Sequence, residues 1–260
     1  MRRLIVHAGF HKTGTTTVQK TLRLNRQALN PHLKVILRRD MIAVCEAARA
    51  WSVSRDPLDA ALFRYELAQL AEGWSDNARR PILMVSEDLS GHMPGRHGLS
   101  AYDAAPPLMQ ALAETLTEVR PDLQLQLFFS TRAERPWLDS CHAQNLRSAR
   151  ITLSRIDYRR TYRRSADLAA IVAQVAAVIA PWPVTSAALE ACLDRPLGPL
   201  DPLLDLVGLP APVRAGLTPH PPANRTPPPE VLDRLLALNR SNLDPQALRA
   251  AKQALAQKAS

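Results

Sequence analysis

Strand-like apolar runs alternate with helix-like segments along most of this chain, and that alternation limits the folds open to it. The runs cover 3–9, 81–86, 123–131 and 183–189, with a weaker one at 33–38. Between them, apolar residues recur at helical spacing over 15–29, 57–73, 106–119, 134–149 and 165–180. We therefore predict an α/β fold with a mostly parallel central sheet flanked by helices. Ligands of such sheets bind beyond the carboxyl ends of the strands.

The length and the distribution of proline bear on domain organisation. With 260 residues, of which 46% are hydrophobic, the chain can bury one sizeable core, and we predict a single domain over 1–260. Proline is frequent from about 196 to 260, which predicts short helical pieces and polyproline-like linkers packed on that domain. Thr226 and Asp244, each followed by proline, are predicted to cap two helices there.

Charge and cysteine content restrict the ligand and the compartment. A formal net charge of +9 favours a polyanionic ligand. The three cysteines, Cys45, Cys141 and Cys192, form no CxxC pair, which argues against a disulfide framework or a cysteine zinc site and fits a reducing compartment. No segment reaches the roughly 18 uninterrupted apolar residues that a membrane span needs. We expect a cytoplasmic protein without a membrane span.

The first apolar run leads into "HAGFHKTGTTT", residues 7–17, directly before a helix-like pattern. A strand, a glycine-containing turn and a helix N-terminus can hold a phosphate, because backbone N–H groups and the positive end of the helix dipole point at one spot. The nucleotide-triphosphatase pattern GxxxxGK[ST] is matched by Gly9 and Gly14, but the lysine lies inside the loop as Lys12. The run 123–131 also ends without the acidic magnesium ligand that a triphosphatase needs.

This loop resembles the 5′-phosphosulfate-binding loop of the sulfotransferases that use 3′-phosphoadenosine-5′-phosphosulfate (PAPS), especially their bacterial branch. That family has a second element, an arginine at a later strand end and a serine eight residues on, and "FFSTRAERPWLDS" supplies Arg132 and Ser140 at this spacing. The resemblance implies a three-layer architecture like that of P-loop NTPases. It also implies transfer of a sulfuryl group from PAPS to a hydroxyl or amine of a sugar, lipid or small metabolite, with PAP as product and no metal required.

The resemblance further implies roles for individual residues. Lys12 would stabilise charge that develops on the bridging oxygen, and Arg132 with Ser140 would bind the 3′-phosphate. The other predicted nucleotide contacts lie in the loop and the first helical turn: His11, Thr13, Gly14, Thr15, Thr16 and Thr17. The cytosolic eukaryotic members also carry "RKG" and "GxxGxWK" segments that are absent here, so the adenine contacts are unassigned.

Transfer to an alcohol or amine needs a base that deprotonates the acceptor. "PILMVSEDLSG" places Glu87 and Asp88 at a strand end, and carbohydrate-type members of the family use a glutamate there. Glu87 is therefore the predicted base, with a turn carboxylate as its alternative, and Asp88 the predicted N-cap. The small-molecule branch uses a histidine instead. His92 and His97 follow soon after Glu87, but we expect both to be loop or substrate-contact residues rather than bases. His7 falls within a strand, and His142 is expected to be structural.

A basic and aromatic segment, "RIDYRRTYRRS" at 155–165, could contact the nucleotide or an anionic acceptor, bind nucleic acid, or form a solvated helix face. We expect no nucleic-acid partner, and an acceptor that could be anionic or a carbohydrate, selected by loops around 40–60, 90–105 and 145–165. Two other functions stay open: a divergent P-loop kinase or nucleotide-binding protein, and a non-catalytic module that binds PAP or another anion.

Overall fold

The computed structural model describes residues 1–75, 79–221 and 226–258, and a five-stranded parallel sheet lies at its centre. The strand order is β2-β3-β1-β4-β5, so the first strand has neighbours on both sides. Leu4 is level with Ile82 on one side and with Leu125 on the other. All five predicted strands are confirmed: β1 Arg2–His7, β2 Lys34–Leu37, β3 Ile82–Val85, β4 Leu123–Thr131 and β5 Val184–Ala188.

Helices flank this sheet, and short 3₁₀ turns connect several of them. The five predicted helices are present, although the segment 15–29 is divided at Asn25. The side-chain amide of Asn25 exchanges hydrogen bonds of 2.8 and 2.9 Å with the backbone of Thr218, which interrupts the helix. The helices of the described residues are α1 Thr15–Leu24, α2 Arg26–Leu29, α3 Ile42–Ser54, α4 Pro57–Glu72, α5 Ala105–Val119, α6 Glu134–Ser148, α7 Arg155–Thr161, α8 Leu168–Val178, α9 Asp201–Val207, α10 Ala211–Ala215, α11 Pro229–Arg240 and α12 Pro245–Lys258.

Side chains that alternate along the strands enter two separate cores, because successive residues of a strand point to opposite faces of the sheet. Leu4 and Val6 of β1 contribute to the larger core, which also holds buried side chains of α3, α4, α5 and α8. Ile5 contributes to the second core, which α1 and α9 cover from the other face. The arrangement is the predicted α/β sheet with helices on both faces.

The region 40–60 differs from the prediction of an acceptor-selecting loop. It consists of the two helices α3 and α4, joined at Arg55 and Asp56. Asp56 caps α4 by accepting a hydrogen bond from the amide of Leu58 at 2.8 Å. Ile42 and Val53 of α3 are 46% and 41% exposed. The apolar residues of this helix therefore do not form one buried stripe, which is the spacing from which a helix is predicted.

The proline-rich C-terminal segment forms four helices, of which the last two contact α6. Leu146 of α6 packs with Leu235 of α11 and Leu255 of α12 in a small third cluster. Asp244 caps α12 as predicted, whereas Thr226 caps nothing, because α11 begins at Pro229 after two further prolines. The predicted linker includes 222–225, which lie outside the described residues. Within the described ranges, no helix is both long and apolar enough to cross a membrane.

Candidate functional site

The loop between β1 and α1 has a backbone that only certain residues tolerate. Lys12 and Gly14 both have positive φ, 68° and 97°. A Cβ on Gly9 would lie 2.6 Å from Nε2 of His7 and 2.9 Å from Oγ of Ser130, so only glycine fits there. α1 begins directly after Gly14, with no acidic residue in its first turn and no side chain that caps it. The positive end of its dipole therefore lies at the loop.

A buried hydrogen-bond chain holds this loop onto the sheet. The hydroxyl of Thr13 donates to the carbonyl oxygen of Phe10 at 2.6 Å and lies 2.6 Å from Oγ of Ser130, which lies 3.0 Å from Nε2 of His7. Because the Thr13 proton goes to Phe10, Ser130 donates to Thr13 and accepts from His7 Nε2–H. The Thr13 hydroxyl is fully buried and bonded within the protein, so its backbone is the part of Thr13 left for a nucleotide contact, and that contact stays a prediction.

His7 is not suited to act as a base. It is completely buried in β1, and burial lowers the pKa of its imidazole to about 3. Its Nδ1 has no hydrogen-bond partner among the described residues. His7 thus supports the loop as a neutral ring.

His11 is held from several directions. Its backbone N–H donates to the hydroxyl of Tyr102 at 3.1 Å, and its Nδ1 lies 3.0 Å from the same oxygen. Its Nε2 lies 3.6 Å from Oδ1 of Asp88, and its carbonyl oxygen accepts from Nε1 of Trp137 at 2.9 Å. These contacts fix the backbone immediately before Lys12, and they direct the imidazole toward Asp88. A direct nucleotide contact of His11 stays a prediction.

Lys12 and Arg132 meet at the open side of the loop. Arg132 follows β4, and its Nη1 donates to the carbonyl oxygen of Lys12 at 3.1 Å. Its Nε lies 3.9 Å from a carboxylate oxygen of Glu190. The pKa of Lys12 is lowered by burial and by the positive charges of Arg147 and Arg132. An anion placed here would remove part of that electrostatic cost.

Ser140 lies on α6 and is 7% exposed. The helix begins at Glu134, soon after Arg132, so the predicted pair occupies one strand–helix connection. Thr15 is 3% exposed, whereas Thr16 and Thr17 are half-buried in the first turn of α1. The predicted phosphate-binding residues therefore lie in two strand–helix connections, the one after β1 and the one after β4. Whether they bind a nucleotide stays a prediction.

Glu87 and Asp88 follow β3 on the other side of β1, and their carboxylates have different surroundings. Glu87 is half-buried, and its Oε2 accepts a hydrogen bond from Nε2 of Gln19 at 2.8 Å. Its negative charge partly opposes the lowering of the Lys12 pKa by burial and by the arginine charges. Glu87 is thus partly accessible, as a base at this site must be.

Asp88 is enclosed by cations. Its Oδ2 lies 2.6 Å from Nε of Arg38 and 3.9 Å from Nη1 of Arg49. Burial alone would raise the pKa of Asp88, but hydrogen bonds and charges of His11, Arg38 and Arg49 outweigh it and lower the pKa to about 2. The predicted N-cap role is wrong, because Ser86 caps the turn Glu87–Ser90 and accepts from the amide of Asp88.

The remaining histidines lie in two different settings. The rings of His92 and His97 are 4.5 Å apart in the loop after β3, and burial, with the neighbouring charges of Arg49 and His97, lowers the pKa of His92 to about 4. His142 is buried, and its Nε2 lies 3.0 Å from the carbonyl oxygen of Leu153. His142 is therefore structural, as expected.

The basic and aromatic segment 155–165 forms α7 and the turn after it. Tyr158 is 1% exposed and packs on Tyr162 at 4.5 Å, so these rings face the core rather than a ligand. Nε of Arg159 donates to Asp139 at 2.6 Å, and Arg163 lies 3.6 Å from Glu134. This arrangement agrees with a largely solvated helix face.

Sequence reasoning did not identify several residues that shape the site. Gln19, Tyr102, Trp137 and Ser130 position Glu87, His11 and Thr13. Ser130 and Trp137 lie within the segment that supplies Arg132 and Ser140, but neither was assigned a role from the sequence. Gln19 is four residues after Thr15, and this spacing alone could have indicated that the two residues lie on the same face of α1.

The fold is similar to that of a solved protein. The crystal structure of a sulfotransferase from Alicyclobacillus acidocaldarius matches with a TM-score of 0.51 at 15% sequence identity, over 99% of this chain and 95% of that chain. No family model matches the sequence, and no curated protein matches it. The similarity establishes that the chain has a fold like that of a sulfotransferase.

Proposed function

We propose that this protein is a PAPS-dependent sulfotransferase that acts on a hydroxyl or amine acceptor. The observation that carries the proposal is the meeting of three strand ends: Lys12 after β1, Glu87 after β3 and Arg132 after β4. Cations and the partly accessible carboxylate of Glu87 are thereby combined near the N-terminus of α1. The similarity to a sulfotransferase fold supports the same reaction class.

The residues present fit a nucleotide that carries a 5′-phosphate and a 3′-phosphate. The close approach at Gly9 and the positive φ of Lys12 and Gly14 shape a cradle before α1, and Lys12 carries a partly buried charge there. Arg132 and Ser140 provide a second set of donors beside it. PAPS would supply the sulfuryl group and, as PAP, the leaving group.

Each residue would act on charge or on a proton. Glu87 would accept the proton of the acceptor, held in place by the amide of Gln19. Lys12 would place positive charge near the leaving oxygen, with the helix dipole of α1 acting in the same direction. Arg132 would bind phosphate and, through the Lys12 carbonyl oxygen, also fix the loop.

The surroundings of Asp88 disfavour a magnesium-dependent kinase. Asp88 is at a strand end, where a P-loop enzyme would hold its metal ligand, but its carboxylate is already engaged by two arginines and a histidine. We therefore expect PAP to bind without magnesium and ATP–Mg²⁺ to bind more weakly.

Isothermal titration of the full chain with PAP tests the proposal. Lys12→Ala and Arg132→Ala should each weaken PAP binding by about tenfold or more, because each removes a charge-assisted contact. Lys20→Ala and Arg135→Ala, which truncate exposed cations on α1 and α6, are the matched controls and should change the affinity less than twofold. A wild-type chain that does not bind PAP, or that hydrolyses ATP with magnesium, would overturn the proposal.

A further inference from the structure

A cleft of about 940 Å³ lies between the end of α6 and the helices α11 and α12. This volume is in the range of small-molecule binding sites. Neither the loop after β1 nor the turn after β3 contributes to it. The cleft is therefore separate from the proposed nucleotide site, and the proposed function does not yet use it.

Its floor is apolar. Leu235 and Leu255, two members of the third hydrophobic cluster, line it together with Leu248, Val231 and three prolines. Val231 is only half-buried, so part of this floor faces the cleft. An extended apolar group placed here would bury apolar surface that the three helices leave uncovered, which is favourable.

Its rim is cationic. Among the residues that the structure describes, four basic side chains and no acidic one line the cleft: Arg147, Arg150, Arg249 and Lys252. Arg150 donates to the carbonyl oxygens of Asn239, Ser241 and Leu243. The nearby carboxylate of Asp244 is engaged by the amides at the start of α12.

Lys252 carries a positive charge that its hydrogen-bond partner does not neutralise. It is 9% exposed, and its Nζ donates to the carbonyl oxygen of Ala149 at 2.8 Å. The pKa of Lys252 is lowered by burial and by the charge of Arg150. A backbone carbonyl can satisfy one of its three donors but cannot neutralise it. No carboxylate of the described residues forms an ion pair with Lys252, and a buried cation that lacks a counter-charge is costly. An anionic ligand would offset that cost.

α6 connects the cleft to the proposed site of transfer. Ser140, Gln144 and Arg147 recur at i, i+4 and i+7, so they follow one face of the helix. Seven residues of helix span about 10 Å. The charge of Arg147 also reaches Lys12, as the lowered pKa of the lysine indicates. A ligand of modest length in the cleft could therefore extend toward Lys12 and Glu87.

We infer that this cleft binds the acceptor, and that the acceptor is an alcohol with an extended apolar body and an anionic group held by Arg147, Arg249 and Lys252. The inference rests on the proposed function. In the transfer, the acceptor oxygen bonds to sulfur while the bond between sulfur and the phosphate oxygen breaks. The electron pair of that bond stays on PAP, and the hydroxyl proton passes to Glu87.

Titration of the full chain with 12-hydroxydodecanoate tests the binding step. The hydroxy acid should bind at least about tenfold more tightly than dodecane-1,12-diol, which lacks the charge. Arg249→Gln should weaken binding of the acid about tenfold and leave PAP binding unchanged. Val231→Trp, which fills the floor, should weaken both amphiphiles. Arg234→Gln on α11, which lines a different pocket and not this cleft, is the matched control.

Mass spectrometry of reactions with PAPS tests the acceptor role, because the hydroxy acid should become a sulfate ester and dodecanoate should not react. If PAP binds but the hydroxy acid does not, the cleft inference is wrong and the proposed function stands. If the acid binds but PAP does not, the proposed function fails and the acceptor role fails with it. A drop in melting temperature of Arg249→Gln with unchanged binding would show that the cation only stabilises the helices, which would also overturn the inference.

Discussion

The loop after β1 has two sides that differ in what their side chains do. On its inner side, Thr13, His7 and Ser130 form a buried chain of hydrogen bonds, and His11 is clamped by Tyr102. On its open side lie Lys12, Arg132 and Glu87, which are only partly buried. Lys12 and Thr13 are adjacent in sequence, yet one faces the proposed ligand and the other the protein interior. Neighbouring residues of this loop thus have different roles: Thr13 holds the loop on the sheet, and Lys12 would act on the ligand.

If this division is correct, changes on the open side should affect transfer and changes on the inner side should affect stability. The largest effect is expected for Glu87→Gln, which keeps the volume but removes the proposed base. Transfer should fall by about 10²- to 10⁴-fold, while PAP affinity and melting temperature stay close to wild type. Single-turnover rates with PAPS, measured beside the exposed control Glu72→Gln, check this. Retention of the full rate would exclude Glu87 as the base.

The second prediction concerns the inner side and pH. The pKa of His7 is about 3 in the folded protein and near its ordinary value of 6.5 when unfolded. Between these values the unfolded state binds a proton that the folded state does not, so the free energy of unfolding decreases as the pH falls.

From pH 7 to pH 4 this single group should remove about 3 kcal/mol of stability. Asp88, with a pKa of about 2, titrates below this window. His7→Gln keeps a donor for Ser130 and cannot be protonated, so urea unfolding of this variant should show a smaller loss over the same range. Equal losses in both proteins would contradict the assignment of His7 as a buried neutral ring.

The strands that position this site were predictable from the sequence, whereas several of its side-chain contacts were not. The five strands were predictable because their apolar runs are short and bounded by polar residues, and their carboxyl ends placed Lys12, Glu87 and Arg132 at one edge of the sheet. The N-cap assignment of Asp88 was wrong, and the inward direction of the Thr13 hydroxyl was not predicted, because residue type does not show side-chain direction. Their roles depend on Ser130, Arg38 and Arg49, which are distant in sequence.

The third prediction compares two threonines. Thr13→Val removes the hydroxyl that links Phe10 and Ser130, so two buried polar groups lose a partner, and the free energy of unfolding should fall by about 1–3 kcal/mol. Thr117→Val, which removes an exposed hydroxyl bonded to its own helix α5, should cost less than about 0.5 kcal/mol. Urea unfolding measures both. A PAP affinity that falls in Thr13→Val without a loss of stability would show that Thr13 belongs to the open side.

The smallest effect on the transfer rate is expected for a change at Gln19, which is hydrogen-bonded to Glu87 on the open side. Its buried amide donates to Glu87 and touches no proposed substrate, so it acts as a positioning residue. Gln19→Ala should lower the transfer rate by about 3- to 10-fold, the worth of one hydrogen bond, with the KM for PAPS unchanged. In a Glu87→Gln background the same change should have little further effect, because the group that Gln19 positions is already inactive. A purely structural role would instead add the same loss in both backgrounds, and this double-mutant cycle therefore separates support of the base from support of the fold.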